Sequence, residues 1–207
     1  MDIFRRRKKS REYVTIVSGL PRSGTSLMQR MLEAGGVEPL TDEIRAADEN
    51  NPKGYYEYER VKKLKDDDTG WLNLAQGKSV KIISALLEYL PEDYYYRVLF
   101  MQRNMDEILA SQNKMLVDRG ERTDKVSDEQ MAQLYEDHLQ KVGAWLEKQN
   151  NFRVLYVNYN RLLQDPTEPL AQISKFSDKS VKVDEMAKVI DSNLYHQRKS
   201  STETDYN

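Results

Sequence analysis

The sequence predicts a three-layer α/β fold in which helices flank a central parallel sheet. Short apolar runs along the chain have the length and the nearly continuous apolar character of strands buried on both faces. Helical patterns alternate with these runs, which is typical of a three-layer α/β domain. A glycine-containing loop joins the first run to the first helix. The chain of 207 residues is long enough for one such domain.

The predicted strands and helices follow one another along the chain. Strands are predicted at 13–17, 98–101 and 154–157, with a weaker one at 80–83, and helices at 26–32, 105–117 and 127–149. In the last helix, Ser127 and Gln130 are typical of a capping box. Its apolar stripe consists of Met131, Leu134, Tyr135, Val142, Trp145 and Leu146. His138 lies on this stripe, where we expect a packed, hydrogen-bonded histidine and not a catalytic base.

The chain divides into one domain with two tails. We assign 11–199 to the domain, 1–10 to a solvated basic tail with five consecutive Arg and Lys residues, and 200–207 to a frayed C-terminus. The polar segment 41–69 contains an Asn-Asn-Pro-Lys-Gly turn signal. Because long polar connections in α/β domains usually carry function, we expect a substrate-side insertion or lid there.

Composition excludes several kinds of chemistry. The chain has no cysteine and two histidines, so disulfides, thiolate catalysis and a histidine-rich metal centre are excluded. The net charge of -2 gives no reason to expect a nucleic-acid partner. No apolar run approaches the roughly 20 residues that span a bilayer, and no secretory signal is recognisable. We therefore expect a cytoplasmic protein with no transmembrane segment.

The stretch from Val14 to Ser26 predicts an anion-binding loop. Gly19 and Gly24 permit backbone conformations that direct several N–H groups at one anion. The following helix contributes the positive end of its dipole, and Ser23, Thr25 and Ser26 contribute hydroxyl groups. An ordinary strand–turn–helix joint is the alternative.

This P-loop-like sequence lacks two features of ATP-using enzymes. The glycines have the spacing of G-x-x-x-x-G-K-[ST], but Thr25 occupies the lysine position and the cation, Arg22, lies inside the loop. The strand at 98–101 leads into Arg103 and not into an aspartate that would hold magnesium. Such a loop suits a less charged group than a triphosphate. Sulfuryl transfer, supported by cationic side chains and backbone dipoles without a metal, fits.

Two motifs resemble those of the sulfotransferase family, which uses 3′-phosphoadenosine 5′-phosphosulfate (PAPS) as donor and releases adenosine 3′,5′-bisphosphate (PAP). The family loop has the form P-[KR]-S-G-T-[TS], and all six positions agree at Pro21 to Ser26. The family's 3′-phosphate motif, an arginine at a strand end and a serine eight residues later, matches Arg103 and Ser111. The resemblance implies that Arg22, Ser23, Gly24, Thr25 and Ser26 bind the 5′ end, and that Arg103 and Ser111 bind the 3′-phosphate. A surface arginine and a helix serine are the alternative.

Weaker correspondences concern the adenine and the C-terminus. Tyr159 lies seven residues before Pro166, as does a family tyrosine near the adenine, but the acidic residue that usually follows it is Asn160 here. Packing at a strand end is the alternative for this tyrosine. Basic C-terminal residues contact the 3′-phosphate in relatives, and the resemblance extends this role to Arg198, with Lys199 beside it.

The resemblance also nominates catalytic residues. Lys81 resembles the family lysine near the oxygen that bridges sulfate and phosphate, but Ile83 stands where many cytosolic sulfotransferases have a histidine. The loop is more similar to those of tyrosylprotein-sulfotransferase-like and bacterial sulfotransferase proteins. In register with the E-E-T-R run of the tyrosylprotein sulfotransferases, the resemblance makes Glu43 the catalytic base and Arg45 an acceptor contact. Glu57 is the reserve candidate, and a solvated charge cluster is the alternative.

We therefore expect an enzyme that transfers a sulfuryl group from PAPS to a hydroxyl or amine acceptor by metal-free in-line attack. A small hydroxylated metabolite, a glycolipid and a peptide all fit as the acceptor. One alternative is a P-loop nucleotide kinase or phosphotransferase, which would require magnesium and ATP. The other is a non-catalytic nucleotide-binding protein.

Overall fold

Four parallel strands form the centre of the fold. The computed structural model describes residues 13–42, 54–121, 126–177 and 181–190. Within them the strands are β1 (Val14–Gly19), β2 (Ser79–Lys81), β3 (Tyr96–Gln102) and β4 (Phe152–Asn158). They lie in the order β2-β1-β3-β4, and every neighbouring pair is parallel. The predicted strands and the predicted parallel sheet are confirmed.

Helices connect the strands. They are α1 (Thr25–Ala34), α2 (Leu72–Ala75), α3 (Met105–Asp118), α4 (Asp128–Leu146), α5 (Tyr159–Gln164), α6 (Thr167–Ser177) and α7 (Val183–Lys188). Two 3-10 helices span Glu59–Asp66 and Ser84–Tyr89. The three predicted helices correspond to α1, α3 and α4.

The sheet separates two apolar clusters because successive strand side chains point to opposite faces. Ile16 and Val98 belong to the first cluster, together with side chains from α2, the 3-10 helices and α4. Val17 and Leu99 belong to the second cluster, which includes side chains from α1, α5, α6 and α7. Helices therefore cover both faces, and the three-layer α/β fold is confirmed.

Helix α4 has the predicted start but buries less than its pattern suggests. Ser127 accepts from the Gln130 backbone, and Gln130 accepts in return from the Ser127 backbone, so the capping box is present. The predicted stripe is wrong at Leu134, which is 58% exposed, and Leu146 is the helix's one fully buried residue. The reason is that the apolar contacts of α4 with the first cluster begin at Leu139, beyond Leu134.

His138 is a packed, hydrogen-bonded side chain, as predicted. Its Nε2 lies 2.8 Å from Oγ of the buried Ser84, which links α4 to the second 3-10 helix. Partial burial lowers the pKa of His138 below its usual 6.5, the positive charge of Lys141 lowers it further, and the Glu88 carboxylate opposes this shift.

Part of the segment 41–69 is well packed. Its described residues include the 3-10 helix Glu59–Asp66, whose Leu64 is fully buried. Thr41 Oγ1 donates to the Glu57 carbonyl oxygen at 2.8 Å, which joins the start of the segment to its middle. The role of a lid, and the division of the chain into 1–10, 11–199 and 200–207, stay predictions. Both tails lie outside the described residues.

None of the helices in the described ranges is both long and apolar enough to span a bilayer. The longest, α4, has 19 residues and carries charged side chains along its length.

We predict that His138 makes folding stability dependent on pH. Because its pKa is lower in the folded chain, the unfolded chain binds the proton more readily. Its contribution is complete above about pH 6.5 and is lost as the pH falls through the folded-state pKa. Urea unfolding at about pH 7.5 and about pH 5 measures the loss, which should be smaller in His138→Gln. Equal losses in both proteins would contradict this prediction.

Candidate active site

Most of the predicted site residues that the structure describes lie at the carboxyl ends of the four strands. The glycine loop follows β1, Lys81 ends β2, Arg103 follows β3 and Tyr159 follows β4. In open parallel sheets, ligands bind at the carboxyl-terminal edge, at the point where the strand order reverses. There the chain leaving one strand continues to one side of the sheet, and the chain leaving its neighbour continues to the other side. The order β2-β1-β3-β4 places that point between β1 and β3. The sheet therefore collects residues that are up to 140 positions apart in the sequence.

The loop backbone is held in conformations that most residues avoid. Gly24, directly before α1, has φ +100°, and a Cβ there would lie 2.3 Å from a ring carbon of Tyr159. Gly19 has φ +142° and lies against the Met101 carbonyl oxygen. Arg22 has φ +67°, which costs a non-glycine residue about 1–3 kcal/mol. The packing against Tyr159 and β3 keeps the loop in this shape.

The start of α1 offers donors to an anion. No side chain caps its first turn and no acidic residue lies there. The backbone N–H groups of a helix start are thus directed at the loop interior. Ser23 is 1% exposed, and its Oγ has no hydrogen-bond partner among the residues that the structure describes. Ser26 Oγ donates to the Tyr55 carbonyl oxygen at 3.4 Å.

The two anion motifs of the sequence meet in space. Arg22 Nε donates to Ser111 Oγ at 2.8 Å. Arg103 Nη1 donates to the Arg22 carbonyl oxygen at 2.7 Å. The Arg103 side chain is only 8% exposed, so its positive charge sits in a poorly solvated position. The loop after β1 and the arginine after β3 therefore form one positively charged site.

A further group of side chains surrounds Arg103. Its Nε donates to Glu107 Oε2 at 2.8 Å, and its guanidinium carbon lies 4.9 Å from the centre of the Tyr159 ring. The other Glu107 oxygen accepts from Asn160 Nδ2 at 2.6 Å. Glu107 was not among the residues predicted from the sequence. Its position four residues after Arg103, in the first turn of a helix, is the signal that was available.

Lys81 marks the other end of the site. Its Nζ donates to the Tyr55 carbonyl oxygen and lies 3.7 Å from Glu57 Oε1. Lys81 and Glu57 are 10% and 16% exposed, and Lys62 approaches the second Glu57 oxygen at 3.6 Å. Glu57 is thus next to the predicted catalytic lysine. Glu43, Arg45 and Arg198 lie outside the described residues.

A cavity of about 230 Å³ lies beside the loop, between the sheet and α4. Most of its lining is apolar and includes Leu20, Phe100, Ile108, Leu139 and Tyr156, with Ser23 and Arg103 among the polar contributions. This cavity was not predicted, because its walls come from the loop after β1 and from β3, α3, α4 and β4, which are far apart in the sequence.

The family of the chain is defined by its sequence match. Residues 13–206 match the family described as "Sulfotransferase domain", so the chain belongs to this family of PAPS-dependent transferases. No curated protein matches the chain.

Solved structures with the same fold include other sulfotransferase proteins. The "Sulfotransferase Domain from the Curacin Biosynthetic Pathway" superposes with a TM-score of 0.50 at 15% identity, over 96% of this chain and 94% of that one. Mouse sulfotransferase SULT7A1 complexed with PAP gives 0.52 at 18%, over 96% and 66%. Retinol dehydratase in complex with androsterone and inactive cofactor PAP gives 0.50 at 17%, over 87% and 63%. The chain thus spans about two thirds of the last two proteins. No particular subfamily is distinguished.

We predict that Gly24→Ala disrupts the site. Alanine at φ +100° is strained by about 1–2 kcal/mol, and its methyl group would displace the Tyr159 ring. PAP binding, measured by calorimetry, should fall by about tenfold or more.

Gly120→Ala is the matched control, because Gly120 also has a positive φ, +69°, but a Cβ there meets nothing within 4 Å. It should lower the melting temperature and leave PAP binding unchanged. Equal PAP affinity in Gly24→Ala and the original protein would show that the loop conformation is not needed.

Proposed function

We propose that this chain is a sulfotransferase that moves a sulfuryl group from PAPS to a hydroxyl or amine acceptor. The observation that carries this proposal is the direct contact between the Arg22 loop and the Arg103–Ser111 pair. The 5′ and 3′ phosphate groups of the donor are attached to the same ribose, so the groups that bind them must be close neighbours. An arrangement with the two motifs apart would not serve one nucleotide.

The residues at the sheet edge fit the donor from end to end. The loop amides with Ser23, Gly24, Thr25 and Ser26 would hold the 5′ end. Arg103 and Ser111 would hold the 3′-phosphate, with Arg198 as a further contact. Tyr159, packed on Gly24, would offer its ring near the adenine. Positive side chains are therefore available from β2 across to β3.

The donor supplies the activated sulfuryl group, and the chain supplies charge and position. Lys81 would stabilise the charge that develops on the leaving phosphate, and Arg22 the charge on the sulfuryl oxygens. These cations would do work that a metal does in many phosphotransferases, so the proposed transfer is metal-free.

A carboxylate would take the proton from the acceptor as it attacks. Glu43 is the base that the sequence nominates, with Arg45 as an acceptor contact. The position of Glu57, 3.7 Å from Lys81, supports Glu57 as the second candidate. Since Lys81 would lie near the leaving group, a base beside it is close to the reacting atoms.

The proposal extends to the class of acceptor and to the cellular location. The likeness of residues 21–28 to tyrosylprotein sulfotransferases and bacterial relatives supports a small-molecule or peptide hydroxyl group as acceptor. We propose a cytoplasmic location, with no nucleic-acid partner.

We predict that PAP binds without magnesium and about tenfold or more tighter than ATP. Arg103→Ala should weaken PAP about 10- to 100-fold, because a charge-assisted hydrogen bond is lost, and Ser111→Ala about threefold or more. Lys114→Ala is the control, since Lys114 lies on the same helix and is 73% exposed. Calorimetry measures each affinity. Unchanged PAP binding in both variants would overturn the motif assignment, and magnesium-dependent ATP turnover would favour a kinase.

We predict that replacing the true base lowers kcat by about 10²-fold or more and leaves PAP affinity unchanged. A screen of hydroxylated metabolites, glycolipids and peptides with radiolabelled donor sulfate identifies the acceptor. Glu43→Gln and Glu57→Gln are then compared, with Glu185→Gln as control, because Glu185 lies on α7 and its carboxylate is paired with Lys188. If both variants keep full activity, neither is the base. Binding of PAP without transfer to any acceptor would indicate a non-catalytic protein.

A further inference from the structure

Glu107 connects the predicted 3′-phosphate residue to the chain that follows β4. One carboxylate oxygen accepts from Arg103 Nε at 2.8 Å, and the other accepts from Asn160 Nδ2 at 2.6 Å. Both distances are those of strong, charge-assisted hydrogen bonds. A single side chain of α3 therefore contacts both the residue that follows β3 and the chain that follows β4.

The start of α3 fixes where this carboxylate lies. Asn104 precedes the helix, and its side-chain oxygen accepts from the Glu107 backbone N–H at 3.3 Å. Glu107 lies in the first turn of α3, while Arg103 directly precedes the N-cap residue Asn104, and the two side chains form an ion pair at 2.8 Å. The carboxylate is thus directed at Arg103 by the helix itself.

The guanidinium of Arg103 is oriented from two sides. Glu107 holds Nε, whereas the Arg22 carbonyl oxygen accepts from Nη1 at 2.7 Å. The Tyr159 ring adds a contact to its face. Two hydrogen bonds to different nitrogens fix the plane of a guanidinium, which one bond cannot do.

Asn160 suits this arrangement because it is neutral. Its amide nitrogen donates to Glu107, while its oxygen lies 3.4 Å from the Asn104 backbone nitrogen. An aspartate at the same place would bring two carboxylates together and repel Glu107. The site therefore accommodates one acid at this point.

We propose that Glu107 is a positioning residue that sets the preference of the site for nucleotides with a 3′-phosphate, acting through Arg103 and paired with Asn160. This inference rests on the proposed function, which assigns the 3′-phosphate to Arg103. Glu107 does not itself bind the nucleotide. It keeps the guanidinium turned toward the loop that holds the other end of the same ligand.

The test compares PAP with adenosine 5′-monophosphate, which lacks the 3′-phosphate. Glu107→Ala should weaken PAP about tenfold and leave the monophosphate within about twofold, so that the ratio of the two affinities falls. Asp118→Ala is the matched control, because Asp118 forms the same type of i,i+4 ion pair with Lys114 on the same helix. Melting temperatures confirm folding, and Glu107→Gln provides a variant of the same shape.

A second experiment, which moves the carboxylate from position 107 to position 160, distinguishes a positioning role of Glu107 from a nonspecific loss of structure. Asn160→Asp alone should weaken PAP about tenfold, because it adds a second carboxylate. The double variant Glu107→Gln with Asn160→Asp moves the acid across the pair and should recover most of that loss. Simple addition of the two losses, or an unchanged ratio in Glu107→Ala, would overturn the inference. If the original protein itself shows no preference for PAP, the proposed function fails instead.

Discussion

The hydrogen bond from Arg103 to the Arg22 carbonyl oxygen is the contact on which the arrangement of the site depends. It ties the loop after β1 to the end of β3, and its acceptor is the backbone carbonyl of Arg22, a residue with a positive φ. The strained backbone of the loop and the orientation of Arg103 are therefore linked by this one hydrogen bond. Packing of Gly24 on Tyr159 extends it to β4. Residues from three strands are held in one geometry by interactions that are mostly short-range and poorly exposed to solvent.

Much of the fold was predictable because buried parallel strands leave a strong sequence signal. Residues 98–101 and 154–157 are continuous apolar runs, and the observed strands contain them. Only the first run is buried on both faces of the sheet, since Tyr156 of β4 is 45% exposed. The stripe of α4 was less informative, since periodicity shows which face is apolar but not how much of it meets the sheet; Leu134 remains exposed for that reason. In the site, Arg22, Arg103 and Ser111 were predicted because they lie in short motifs. Glu107 and the cavity beside the loop were not, because their significance comes from contacts between elements far apart in the sequence.

The two departures from the sulfotransferase pattern have different physical settings. At Asn160 the neutral amide faces the Glu107 carboxylate at 2.6 Å, so an acid at that position would meet another acid. At Ile83, which is 40% exposed, the side chain has no titratable group. Glu57 lies instead on a different segment, whose Tyr55 carbonyl oxygen and Glu57 carboxylate both contact Lys81. The neutral Asn160 is thus matched by the Glu107 carboxylate beside it. Because Ile83 cannot act as a base, the candidate bases are carboxylates in a different segment.

Strand β2 has three residues; it pairs with β1, and on its other side backbone hydrogen bonds of Ser79 join it, within the described part of the chain, only to residues 38–40. Strand β3, in contrast, pairs with β1 over residues 96–101 and with β4 over residues 96–102. Lys81 is the last residue of the short strand β2, while Arg103 directly follows β3, which has a strand partner on both sides. Local opening of a protein starts where the fewest contacts must be broken. The end of the site that carries Lys81 therefore rests on a part of the sheet that unfolds more readily than the part beneath Arg103, and a nucleotide bound to both would link two regions of unequal local stability.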